Sequence, residues 1–107
     1  MIIGYSVLDR NQIPIPESTV ASRMLNTAQP EKMQAVLVLP ISGKVKVLNE
    51  VGARIWSLVD GKRSIAQIAE QIFLEYDIDK EQALADAMDF LTDLVKSGAI
   101  KLGDFHS

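Results

Sequence analysis

The chain has 107 residues, 48% of them hydrophobic, and a net charge of −3 from 11 basic and 14 acidic side chains; this fits one domain with one core and offers no field for gathering nucleic acid. It has no cysteine, which excludes a disulfide framework and a thiolate metal site, and its one histidine, His106, stands next to the last residue. No basic stretch followed by an apolar run opens the sequence and no run of about 18 apolar residues occurs, so a soluble cytoplasmic protein with no membrane partner is expected.

In residues 1–17, Gly4, Pro14 and Pro16 occur without a sustained period, and Ile13-Pro14-Ile15-Pro16 reads as part of an extended N-terminal arm whose prolines cannot donate to a sheet. A short strand is expected over 19–25, where β-branched and apolar residues precede the turn signals of Asn26-Thr27-Ala28-Gln29-Pro30. Ala35-Val36-Leu37-Val38-Leu39 is a continuous apolar run stopped by Pro40. The alternating Lys44-Val45-Lys46-Val47-Leu48 follows through Ser42-Gly43, which predicts a hairpin.

Three helices come next. Asn49 is a good N-cap, and Val51, Ile55, Leu58 and Val59 share one stripe, giving a first helix over 49–60 that ends at Asp60-Gly61. Ser64 and Gln67 form a capping-box pattern ahead of Ile65, Ile68, Ala69, Ile72, Phe73 and Tyr76 at helical spacing. Asp79 and Gln82 repeat a cap-like pattern, and Leu84, Ala87, Met88, Leu91, Leu94 and Val95 mark a long amphipathic helix closed by Gly98. Ala99-Ile100-Lys101-Leu102 adds a short strand or a wing. Strands grouped before helices give an α+β fold, a three-stranded antiparallel sheet beside three helices. The division is an arm over 1–17, a domain over 18–102 and a tail over 103–107.

The chemistry-bearing residues have plain positions. Asp60, Asp77, Asp79 and Asp86 fall at a helix end, a turn, a cap and a solvated helix face, and Asp77-Ile78-Asp79-Lys80-Glu81 lacks the glycine and the spaced glutamate of a calcium loop. Neither glycine-rich phosphate motif occurs, and His106 has no acid–base partner in sequence reach. Three helices with a terminal hairpin also describe a winged helix-turn-helix. The last helix, however, carries Asp79, Glu81, Asp86, Asp89 and Asp93 against Lys80 and Lys96, and would repel phosphates.

The strand Lys44 to Leu48 suggests another use. At a sheet edge its free N–H and C=O groups are a template for an extended peptide, with Val45 and Val47 on one face and Lys44, Lys46 and Leu48 on the other. The same edge could be covered by the N-terminal arm or pair with itself in a homodimer.

Leu48-Asn49-Glu50, Gly52-Ala53-Arg54-Ile55-Trp56, Leu58-Val59-Asp60-Gly61 and Ser64-Ile65-Ala66-Gln67-Ile68-Ala69, followed by Asp86, Phe90-Leu91 and Gly98-Ala99-Ile100, look like the PqqD family. That family includes the pyrroloquinoline quinone biosynthesis protein D and related recognition elements of ribosomal peptide modification pathways. The resemblance covers about residues 18–102. It implies a winged-helix-like fold that binds the leader of a precursor peptide as an added strand and delivers it to a modifying enzyme, often a radical SAM protein, with no catalysis and no cofactor of its own. Carried onto this chain, the peptide-binding residues are Lys44, Val45, Lys46, Val47 and Leu48 on the strand, and Ala83, Asp86, Ala87 and Phe90 on the third helix. Gly52, Trp56 and Gly61 match as packing and turning residues. Val45 and Val47 depart from the aromatic residues that relatives often carry there, so the resemblance implies the family rather than the quinone pathway itself. A nucleic-acid-binding or regulatory winged helix and a structural dimer are the alternatives.

Overall fold

The computed structural model describes residues 9–25, 34–39 and 42–103. Along them run β1 (Ile13–Pro16), β2 (Ala21–Leu25), β3 (Gln34–Leu39), β4 (Lys44–Leu48), α1 (Glu50–Leu58), α2 (Ile65–Glu75), α3 (Lys80–Ser97) and β5 (Ile100–Gly103). The turn signals at 26–30, Pro40, Gly4 and His106 lie outside the described residues.

β2, β3 and β4 form an antiparallel sheet in that order, with β3 central. The apolar run of β3 alternates in space: Ala35, Leu37 and Leu39 are buried, while Val36 is half-buried and Val38 exposed. Val36 and Val38 stand opposite Val47 and Val45, so two cross-strand valine pairs cover the outer face. Pairs of this kind contribute about 0.2–1 kcal/mol each to the ladder. Gly43 turns the hairpin with φ +70, and its N–H donates to the Leu39 carbonyl at 2.8 Å. A side chain at Gly43 would meet nothing within 4 Å, so the positive φ is what calls for glycine there.

α1 starts where expected, with the Asn49 side chain accepting from the Gly52 N–H at 2.9 Å. It ends at Leu58, short of the expected Asp60. The Asp60 carboxylate accepts from the N–H groups of Lys62 and Arg63, both at 2.9 Å, and makes a turn of its own after an extended Val59. Gly61, with φ +77, serves that turn rather than closing the helix. The Ser64–Gln67 capping box on α2 is complete in both directions. On α3, Asp79 accepts from the Gln82 N–H at 2.7 Å, and a left-handed Gly98 closes the helix by donating to Leu94 and Val95.

The segment read as an arm is built into the molecule from Arg10 onward. The carbonyls of Gln12 and Arg10 accept from the first two N–H groups of α2, Ile65 and Ala66, at 2.9 and 2.8 Å. These donors have no partner within their own helix, so the contact completes the α2 cap. β1 then pairs antiparallel with β5, and Pro14 is buried. The prolines confine β1 to a two-stranded ladder without preventing it, because its isoleucines keep their N–H groups. The core gathers Leu37 under the sheet, Ile55 of α1, Ile65, Ile68 and Ile72 of α2, and Leu91 and Leu94 of α3. Trp56 is half-buried beside the sheet, lining a groove with Val20, Ser22 and Met24.

Candidate functional site

β4 is an outer strand: β3 takes one of its edges, and among the described residues no strand takes the other. The strand's period of two directs its side chains to two faces. Val45 and Val47 are 59% and 66% exposed on the outer face, whereas Leu48 is buried and Lys46 half-buried. Lys44 is exposed at the hairpin end. On the inner side the Lys46 ammonium reaches the Asp93 carboxylate at 2.7 Å, so α3 stands across from the open edge at the reach of a long side chain.

Past Leu48 the chain enters the cap of α1, and a groove of about 460 Å³ opens between this first turn and α3. Asn49, Val51, Gly52, Ile55, Asp86, Asp89 and Phe90 line it. Gly52 sets how closely the two helices approach: a Cβ there would stand 3.0 Å from Phe90 Cε1 and 3.2 Å from Asn49 Oδ1. The half-buried Phe90 ring therefore lies against bare backbone and forms one wall. Asp86 accepts from the Gln82 side-chain amide at 2.8 Å.

The residues expected to bind divide into two groups. Lys44, Val45, Lys46, Val47 and Leu48 all lie on the edge strand, and Asp86 and Phe90 line the adjoining groove. Ala83 and Ala87 belong elsewhere: they are 1% and 0% exposed and sit in the core. The helix face at the groove is thus turned from the expected one: Asp86, Asp89 and Phe90 line it, and Asp93, one turn on, reaches Lys46 of β4. Asn49, Val51, Gly52, Ile55, Asp89 and Asp93 were not anticipated as part of this site. The three- and four-residue spacing from Asp86 to Asp89 and from Asp89 to Asp93 was the available signal.

The scaffold behind the groove is held by a second ion pair. Arg54 of α1 donates to Glu75 of α2 through Nε at 2.8 Å and Nη2 at 2.6 Å, and Gln71 donates to the same carboxylate. The guanidinium hydrogen bonds hold the Glu75 carboxyl below the usual range, and the reciprocal bond raises Arg54. Burial, with Glu50 and Glu75 nearby, pushes the Tyr76 hydroxyl up. What the site offers is a strand edge without a partner among the described residues, an apolar wall and carboxylates. It is equipped to hold an extended chain.

A family model described as coenzyme PQQ synthesis protein D (PqqD) matches residues 34–100. Among solved structures, TbiB1 in complex with the TbiA(beta) leader peptide is 26% identical, with a TM-score of 0.70 over 81% of this chain and 94% of that one. The PqqD truncation of Methylobacterium extorquens PqqCD was solved in solution as a functional, stand-alone recognition element for ribosomally synthesised and post-translationally modified peptides. It is 25% identical, with a TM-score of 0.63 over 83% of this chain and 88% of that one. Lasso peptide synthetase B1, complexed with its leader peptide, shares the fold at 23% identity and a TM-score of 0.57, over 78% of this chain and 99% of that one. No curated protein matches the chain.

Proposed function

The chain belongs to the PqqD family, and from that premise we propose that it is a recognition module: it binds the leader of a ribosomally made precursor peptide and presents it to a modifying enzyme. The observation that carries this reading is the open edge of β4 beside the groove of α1 and α3. An extended peptide added to β4 gains main-chain hydrogen bonds, and its alternate side chains meet Phe90 and Val51 on the inner side. Two of the similar structures hold leader peptides and a third is itself a recognition element, which supports carrying the function across. The binding residues are Lys44, Val45, Lys46, Val47, Leu48, Asp86 and Phe90, joined by Asp89 and Gly52. The chemistry of modification belongs to the partner enzyme, with a radical SAM protein one candidate, and this chain acts as a non-catalytic adaptor in the cytoplasm. No helix among the described residues is long and apolar enough to cross a membrane.

An amide-resolved NMR titration with leader-like peptides, beside a duplex DNA control, tests this function. Shifts confined to residues 44–48 and 86–93 with peptide alone are expected. Silence with peptide and salt-sensitive shifts with DNA would overturn the reading in favour of a nucleic-acid-binding winged helix. A mass that rises with concentration, with the same strand shifting in the absence of peptide, would overturn it in favour of a dimer paired through β4.

A further inference from the structure

The charges along the groove bear on which peptide it accepts. Asp86, Asp89, Phe90 and Asp93 form one stripe of α3, and the far end of that stripe already shows how it meets a strand: Lys46 projects inward from β4 and pairs with Asp93 at 2.7 Å. Asp86 receives a neutral amide from Gln82, and among the described residues neither Asp86 nor Asp89 has an ion-pair partner. Both carboxylates line the same groove as Val51, Ile55 and Phe90. A strand added to β4 lies about 4.8 Å farther along the sheet, with inward side chains about 6.6–7 Å apart, so an inward residue of that strand faces the stripe.

We propose that the groove selects a leader carrying lysine or arginine at an inward-facing position opposite Asp86 and Asp89, with an apolar residue two positions away against Phe90. The proposal rests on the peptide-binding reading above and adds the class of peptide to it. Charge complementarity carries it: a cation is attracted by two carboxylates, a half-buried Asp86 and an exposed Asp89, whereas an anion meets them as like charges. Lys46 at Asp93 supplies the chain's own example of the geometry.

The probe is a set of synthetic peptides of about twelve residues, rich in threonine and valine, with leucine at one central position and lysine, glutamine or glutamate two residues along. Binding to the full chain is followed by fluorescence anisotropy and by amide shifts, at low and at high salt. All three peptides are expected to shift residues 44–48. The lysine peptide is expected to bind about tenfold more tightly than the glutamate peptide, a gap that narrows with salt and falls below twofold in a D86N/D89N variant. The peptide-side exchange leaves the protein untouched, so it gives an answer even if the variant folds poorly. Equal binding of the three peptides with shifts at 44–48 would overturn the charge proposal and leave strand addition standing. Absence of shifts at 44–48 with every peptide would overturn both.

Discussion

Two strand edges in this molecule are treated differently. β1 has proline at two of its four positions, is paired with β5, and is tied on both sides: Gln12 and Arg10 to α2, and the Glu17 N–H to the Ala99 carbonyl at 2.9 Å. β4 has no proline and carries two well-exposed valines; β3 takes one of its edges, and among the described residues no strand takes the other. Each of the two strands has one paired edge among the described residues; the difference lies in what the other edge can offer, and the proposed binding edge is that of β4. Proline removes the donors that would invite a strand; an alternating run of valine and lysine keeps them.

The largest effect expected on this contrast comes from α3, which serves both regions. Leu91 is fully buried in it, and Leu91→Ala should cost about 2–5 kcal/mol, read as a lowered midpoint in urea unfolding, with both edges lost together. Proline substitution along β4 separates fold from binding. Successive residues of a strand direct their N–H groups to opposite sides, so of Lys46→Pro and Val47→Pro one removes a bond to β3 and the other an outward donor. One variant should lose several kcal/mol of stability, while the other stays folded by circular dichroism and loses most of its peptide affinity. Equal behaviour of the two would remove the distinction between the paired and the open side.

A smaller effect is expected at Gly52. Gly52→Ala should displace the Phe90 ring and weaken peptide binding several-fold, with a stability change of about 1 kcal/mol or less, checked by titration and by Phe90 ring shifts. The smallest concerns the scaffold. Hydrogen bonding to Arg54 lowers the folded-state titration of Glu75, so the pair's stabilisation is present above the unfolded value of about 4.3 and fades as pH falls through the folded one. Both side chains are about a third exposed, 34% and 31%, so Glu75→Gln should cost only a few tenths of a kcal/mol at neutral pH. That difference should shrink toward acid, as followed by unfolding midpoints from about pH 6 to about pH 3.

Local chemistry made the helices and the hairpin readable. Asn49, Ser64 and Asp79 cap as their side chains predict, and Gly43 and Gly98 adopt the positive φ that turns and helix ends require. The β1–β5 ladder was harder to read, because a proline-rich segment has no strand pattern of its own and is held by backbone partners far along the chain. The face of α3 was misjudged for a related reason. Ala83, Asp86, Ala87 and Phe90 are all near one another on a helix, and only packing into the core decides that the alanines turn inward. The groove depended on a distance between two helices, set by the missing side chain of Gly52, that no spacing along one helix could reveal.

The β1–β5 ladder also bears on the order in which the molecule assembles. Ile13 meets Gly103, so this pairing closes nearly the whole described chain into one loop, whereas the β3–β4 hairpin and the three helices are made from neighbours in sequence. Loop closure over that span brings an entropic cost before any contact is gained, which places the ladder late, after the hairpin and the α2–α3 pair have formed a surface for it. The same segment supplies the carbonyls that complete the α2 cap, so the ladder and that cap depend on one stretch of chain.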